Sequence, residues 1–407
     1  MMHLNYSLAL RNIFRNTRRT ALTICLIASG LAALLFTDAF IRGMSVSMIK
    51  TSTETFLGDA QIHQQGFREA SDIDIYLKDN NSLYQKLENI KQIKSYAPRI
   101  LTGAMLSSSE NVTSVIVYGV NAEKESQISK LKQAMIKGHY LTAKKGEIII
   151  GDDLADLLEV DLGDRLVVTV SQAHGGDLSQ ELFRVSGLYH FDDRFMNKGL
   201  AVINLQQGQE ILNIQGVHEI ALRFNNVQQA SDTRLTLWAE LNNKELETLN
   251  WRQLIPQLSS MLDMSQYSTL IVSIIMSLLV ALGLINSMFM SIYERHHEFG
   301  ILLAVGTRPR QLFWLILLEG FYIGMLSIIA GVFLGGVISY WKSVTGIDYS
   351  GTEFSGVSMS EPIYLIIDVL AFIKISGFIL AITVLSCVYP ALHAARLQPS
   401  LAMRKAL

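Results

Sequence analysis

The sequence predicts a membrane protein with four transmembrane α-helices, one followed at a distance by three. A large extracytoplasmic α+β domain of two subdomains lies between helices one and two. Three observations predict this. Half of the 407 residues are hydrophobic and 17% are charged, too apolar for an average soluble chain and too charged for one that is membrane throughout. Four windows reach the roughly 20 mostly apolar residues that crossing a bilayer takes. Between the first two windows, residues 43–265 alternate between strand-like and helix-like segments.

The windows follow in order. Thr20–Thr37 is uncharged, with Asp38 at its far end, and Asp38 and Arg42 mark the boundary of a first span at 20–42. No clear small-x-small site precedes "DAFIRG", so this span reads as an uncleaved signal-anchor. Met264–Tyr293 carries no charge and gives the second span, 266–293. Gln311–Trp341 carries one charge, Glu319, and gives the third, 311–341. Ile375–Leu392, lengthened by "DVLAFIK", gives the fourth, 368–392. This leaves an amphipathic helix at 1–19, a loop at 294–310, a short external loop at 342–367 and a tail at 393–407. Cys25 and Cys387 both fall in apolar windows, so no disulfide framework is implied.

Lys and Arg in short loops set the orientation. Arg11, Arg15, Arg18 and Arg19 precede the first span, Arg295, Arg308 and Arg310 separate the second from the third, and Arg396, Arg404 and Lys405 follow the fourth. Asp348, Glu353 and Glu361 lie between the third and fourth. The expectation is both ends of the chain and 294–310 in the cytoplasm, with the insert outside.

In the insert, strand composition appears at 58–64, 112–120, 146–151, 165–171, 182–189, 198–205 and 218–224. Helical periodicity appears at 82–93, 152–160 and 226–241. Helix followed by strand recurs near both ends of the insert. This suits one subdomain built from both ends and a second inserted near 140–225.

Catalytic motifs are missing. No G-x-x-x-x-G-K-[ST] loop cradles phosphate, and no G-x-S-x-G elbow presents a nucleophile. "HHEFG" lacks the i, i+4 histidine spacing of a metal-binding helix. His190 with Asp192 and Asp193 reads as a solvated loop. The chain is expected to be no enzyme, with no cofactor or metal of its own. Its net charge of −2 offers no basic field for nucleic acid.

Polar and small residues within the spans are few. Glu319 either snorkels toward headgroups or faces a helix partner or a wet cavity. Gly320 with Gly324, and Gly331 with Gly335, form two G-x-x-x-G pairs suited to close helix approach. The segment "YERHHEFGILLAVGTRPRQL", 293–312, interrupts the apolar region. Glu294, Arg295 and Glu298 charge one end and Phe299–Val305 is apolar. Gly306 is placed to stop a helix, and Thr307 and Pro309 suit the start of the next. The segment reads as a short cytoplasmic helix. Its apolar residues are consecutive rather than a 3.6-period stripe, which favours a protein groove over a lipid surface.

Several stretches together resemble the permease subunits of MacB/FtsX-like ABC transporters, the type VII or mechanotransmission class, whose layout includes the lipoprotein-releasing LolC/LolE permeases. They are "ALRNIFRNTRRTALTICLIASG", "GDAQIHQQGF", "GEIIIGDDLADLLEVDLGDRLVV" with "FRVSGLY", "LNWRQLIPQL", the 293–312 segment, and "YPALHAARLQPSLAMR". The resemblance covers the whole chain. It implies a bacterial inner-membrane permease that works as a dimer, with a second copy or a paralogue. Two copies of a separate cytoplasmic ATPase would bind the ATP and Mg. It makes the 294–310 helix the coupling helix, with Glu294, Arg295, Glu298, Phe299, Gly300, Ile301, Ala304 and Gly306 at the ATPase. Glu319, Gly320, Gly324, Gly331 and Gly335 are expected in the packing between spans, with membrane lipid around them. The expected substrate is a lipoprotein, lipid or peptide held outside, with a periplasmic accessory protein as a further partner. The alternative within the resemblance is an FtsX-like signalling permease that activates a cell-wall hydrolase, although FtsX external domains are much smaller. The stretch 171–182 is shorter than the carrier-recruiting hairpin of LolC types and lacks prolines.

Overall fold

The computed structural model describes residues 15–78, 81–142, 144–231, 236–349, 353–354, 357–358 and 362–397. Most of the helix expected at 1–19 and of the tail from 398 lies outside these, with Arg11, Arg404 and Lys405. Two compact units emerge. One comprises residues 1–46, 262–348 and 362–407, the other residues 47–261 and 349–361.

The first unit is helical. Helices α1 (Thr17–Ser52), α2 (Pro256–Glu294), α4 (Pro309–Thr345) and α5 (Val369–Ala395) are long and apolar enough to cross a membrane, and a short α3 (His296–Ala304) separates the second from the third. α1 continues ten residues beyond the expected boundary at Arg42, because a charge ends an apolar window without breaking backbone hydrogen bonds. Asp38 and Arg42 form an i, i+4 ion pair at 2.8 Å, and Arg42 also reaches Asp368 at 3.3 Å. Asp368 caps α5, its side chain accepting from the backbone N–H of Leu370 at 2.9 Å and of Ala371 at 3.4 Å. Ile27, Leu31, Leu35, Leu284, Ile379 and Cys387 lie in the buried core of this unit.

The second unit is built on a ten-stranded mixed sheet. Its strands are β1 (Ala60–Gln64), β3 (Ile93–Ser107), β4 (Val112–Val120), β5 (Met135–Gly138), β6 (Glu147–Gly151), β7 (Arg165–Ser171), β8 (Leu178–Tyr189), β9 (Leu200–Asn204), β11 (Glu219–Phe224) and β12 (Leu246–Asn250). The short β2 (Leu77–Lys78) and β10 (Gly216–Val217) pair with each other apart from it. The main order is β12-β1-β11-β3-β4-β9-β6-β8-β5, with β7 bridging β3 and β8.

β3 organises this sheet. Its first half pairs β11, from Ile93 to Arg99, and its last residues pair β7 along the same edge, while β4 runs along the other. The stretch near 140–225 and the portion built from both ends therefore share a strand instead of forming separate sheets. The sequence reading extends a helix over 82–93, but the helix is Asn81–Asn89 and β3 begins at Ile93. The helix read at 226–241 is two short pieces, Val227–Ala230 and Thr236–Leu241, with 232–235 outside the described residues. Only residues 172–177 separate β7 from β8, so this hairpin stays short.

One buried charge cluster pins the start of the domain. Arg99 is fully buried and donates to both oxygens of Glu125, at 2.8 and 2.7 Å, and to Glu219 at 2.8 Å. It also donates to the Phe56 carbonyl at 2.5 Å and lies over the Phe56 ring at 4.3 Å. Phe56 belongs to a single π-helical turn, Thr53–Leu57, that directly follows α1. Guanidinium suits this place because its rigid fork serves several acceptors at once. Removing it leaves two carboxylates buried without a cation. Arg99→Met is expected to cost about 3–5 kcal/mol, read by chemical denaturation of the purified full-length protein followed by Trp fluorescence. A loss below about 1 kcal/mol would contradict this account of the cluster.

Candidate coupling site

The segment after α2 is built by local chemistry. α2 ends at Glu294, and Arg295 takes φ −105° and ψ 13°, which turns the chain into α3. α3 stops in a Schellman arrangement: Gly306 has φ 103°, its N–H donates to Leu303 O at 3.2 Å, and Thr307 N–H donates to Leu302 O at 3.0 Å. Gly306 thus does what its position predicts. α4 then opens with Pro309 as its first residue, and its N-cap is Arg308, not Thr307. The Arg308 backbone N–H donates to the Gln311 side-chain oxygen at 3.1 Å, the bond by which an N3 side chain reaches back to the N-cap.

Four charged side chains form one continuous line. Arg15 donates to both oxygens of Glu298, one of them at 3.1 Å. Glu298 faces Arg295 at 3.4 Å, and Arg295 donates to Glu319 at 3.1 Å. Side-chain exposure falls along it from 59% at Arg15 through 42% and 11% to 5% at Glu319. The outer pair is therefore worth about 0.2–1 kcal/mol, screened by solvent, while the inner pair is buried and costly to break. The hydrogen bond from Arg15 holds the Glu298 carboxyl below the usual carboxylate range. A second tie runs beside the first: Arg19 donates to Glu294 at 2.6 Å and to Ser291 at 2.9 Å, and Asn16 donates to Glu294 at 3.1 Å.

Glu319 faces a helix-turn partner, Arg295. In the sequence Arg15 and Arg19 serve only as orientation signals, but they stand four residues apart, Arg15 just before α1 and Arg19 in its first turn. Glu294 and Glu298 have the same spacing, and that match was the available signal.

The apolar end of α3 divides in two. Phe299 and Gly300 are buried, with Phe299 under Arg295, whose guanidinium lies 4.8 Å from the ring centre. Both therefore leave the expected docking surface, because their own chain already covers them. Ile301, Leu302, Ala304 and Val305 remain exposed, Val305 at 83%.

The glycines of α4 serve two different neighbours. A Cβ at Gly320 would meet Cys387, and one at Gly324 would lie 3.0 Å from Thr383 and 3.1 Å from Leu380, all on α5. A Cβ at Gly331 would lie 3.0 Å from Ala28 O and from Leu31, and one at Gly335 would lie 3.0 Å from Ala32 Cα, all on α1. One G-x-x-x-G pair seats α5 and the other seats α1.

No group of three or more His, Cys, Asp or Glu among the described residues could hold a metal ion. His190 pairs with Asp152 at 2.7 Å, while Asp193 caps the helix Arg194–Gly199.

Four helices apolar enough to span a membrane, a sheet domain inserted after the first, and a charged turn joined to the helices set the frame for the comparisons with known proteins. Residues 20–235 match the family model for the MacB-like periplasmic core domain, and residues 270–399 match that for the FtsX-like permease C-terminal region. The chain belongs to this MacB/FtsX-like family and is an ABC transporter permease of the LolC, LolE, MacB and FtsX type. It is 28% identical over 328 residues to the lipoprotein-releasing system transmembrane protein LolC of Xylella fastidiosa, covering 77% of this chain and 78% of that one. It is 21% identical over 400 residues to the LolC of Neisseria meningitidis serogroup B, covering 95% and 94%. The solved periplasmic region of MacB from Actinobacillus actinomycetemcomitans aligns with 50% of this chain and 94% of its own, at 13% identity and a TM-score of 0.34. The relatives are permease subunits of ABC transporters, which partner with an ATPase.

The glycine contacts give a direct expectation. Gly324→Leu and Gly331→Leu should each lower stability by about 1–3 kcal/mol through overpacking. Gly336→Leu, with no atom within 4 Å of its Cβ position, should leave it unchanged. Thermal unfolding in detergent reads this, and equal melting temperatures for Gly331→Leu and Gly336→Leu would contradict the seating of α1 on α4.

Proposed function

We propose that this chain turns ATP hydrolysis by a separate ATPase into motion of its external domain, which extracts or expels a substrate held outside the membrane. The continuous line Arg15–Glu298–Arg295–Glu319 carries the reading. A force applied to the 294–306 turn meets a buried tie to α4 through Arg295 and Glu319 and more solvated ties to Arg15 and Arg19. α1 is unbroken to Ser52, and the π turn after it is held by Arg99, so chain continuity favours transmission toward the domain.

In this mechanism Ile301, Leu302, Ala304 and Val305 dock in a groove of the ATPase, with Glu294, Glu298 and Arg295 fixing the helix that presents them. Two ATPases and two permease chains, identical or paralogous, make the working complex. It sits in a bacterial inner membrane, with both ends of the chain and the α3 turn in the cytoplasm. ATP and Mg belong to the ATPase. Among substrates, a lipoprotein is favoured over a free lipid or peptide, because the LolC relatives are named as parts of a lipoprotein-releasing system. The chain's own role is mechanical, not catalytic.

Val305→Asp places a charge in the docking surface, and Glu298→Lys opposes Arg15 and Arg295. Each is expected to reduce ATPase co-purification and substrate-coupled ATP turnover about tenfold, as for the loss of one central interface contact, with expression unchanged. Full coupling in both variants would refute the assignment of α3 as the contact.

A further inference from the structure

We infer that a groove between the start of α4 and the end of α5 binds the phosphate of an anionic phospholipid. The groove is open to its surroundings, has a volume of about 450 Å³ and is lined by Arg310, Phe313, Trp314, Leu392, Ala395 and Arg396. Its chemistry is two-sided. Phe313, Leu392 and Ala395 give it apolar walls, while Arg310 and Arg396 stand exposed at its rim. Arg15, Arg19 and Arg295 of the same unit are taken by carboxylates, whereas Arg310 and Arg396 pair with no carboxylate among the described residues. Two free guanidiniums over apolar walls fit an amphiphile with an anionic head, and guanidinium matches phosphate oxygens bidentately.

The surroundings favour a lipid over a soluble anion. Trp314 is 48% exposed on a spanning helix, where an amphipathic ring sits at headgroup level. Two exposed apolar stripes start at groove residues. On α4 the stripe is Trp314, Phe321 and Met325, and on α5 it is Leu392, Tyr389, Leu385 and Phe378. Spacings of three, four and seven keep each stripe on one helix face. A phosphate held at the rim would therefore have continuous apolar surface beside it for acyl chains. Basic pockets between spanning helices are recurrent sites for acidic headgroups. The inference needs only that the chain crosses a bilayer, and stands or falls apart from the coupling role of α3.

Native mass spectrometry of the detergent-purified full-length protein, titrated separately with phosphatidylglycerol and phosphatidylcholine, tests this. Phosphatidylglycerol should be retained about tenfold more strongly. The Arg310→Gln/Arg396→Gln protein should lose that preference, a drop of about tenfold or more for two basic side chains. Arg18→Gln, which removes an exposed arginine elsewhere, should retain it. The Arg310→Lys/Arg396→Lys protein keeps both charges and should still prefer phosphatidylglycerol. Millimolar inorganic phosphate should not displace the lipid. Equal retention of the two lipids, or wild-type retention by the Gln pair, would overturn the inference. So would loss of preference in the Lys pair, or displacement by free phosphate, which would mark a soluble-anion site. If the Gln pair loses ATPase association but keeps its lipid, the groove is a protein contact and the inference fails.

Discussion

Arg295 lies between two carboxylates, and the geometry of the membrane unit depends on it. Glu319 sits on the buried face of α4 near its start, where a charge without a partner is costly. Arg295 answers it at 3.1 Å. To do so the chain must leave α2 at Glu294 and turn at Arg295 itself. The same guanidinium covers Phe299 and faces Glu298. One side chain thus stands at the end of α2, over the buried face of α3 and against α4. The outer members of the line, Arg15 and Glu298, are more solvated and contribute less. They add direction more than strength, since they bring the start of α1 to the same turn.

α4 is the wedge on which this arrangement rests. Its glycines admit α5 near Glu319 and α1 further along, with Cβ positions at or near 3.0 Å from neighbouring atoms. At such spacing the helices have little room to slide independently, so rigid-body displacement is easier than local bending. Arg42 adds a tie from α1 to the N-cap of α5 through Asp38 and Asp368. In the proposed mechanism this stiffness is what lets a push at α3 travel. The domain end has a matching device in Arg99, whose four hydrogen bonds hold the turn after α1 to β3, β11 and the Ala122–Glu125 helix.

Much of the fold was legible because membrane helices and pleated strands have strong periodic or compositional signatures. The spans, and the strands at 112–120 and 165–171, follow from local pattern alone. β3 was hidden because only three residues separate its fifteen from a helix and it serves three partners, so no single alternation marks it. The shared strand joining the two portions of the domain was hidden for the same reason: pairing between distant segments leaves no local trace. At the coupling site, Gly306 and Pro309 were readable from backbone chemistry, and Glu319 stood out as a charge in an apolar run. Which charge answers Glu319 was not readable, since Arg295 is 24 residues away. Phe299 and Gly300 looked like surface because hydropathy reports that a residue avoids water. It does not report whether the covering comes from the same chain or another.

The central claim is that Arg295 and Glu319 act as one unit in coupling. A double-mutant cycle on substrate-coupled ATP turnover of the reconstituted complex tests it most directly, with Arg295→Ala, Glu319→Ala and the pair, in protein of matched folding and incorporation. If the pair is the joint through which α3 drives α4, the double variant should lose little more than the worse single variant, giving an interaction energy of about 1–3 kcal/mol. Losses that add to within about 0.3–0.5 kcal/mol would show that the two side chains act independently, and the account of coupling through this joint would be wrong.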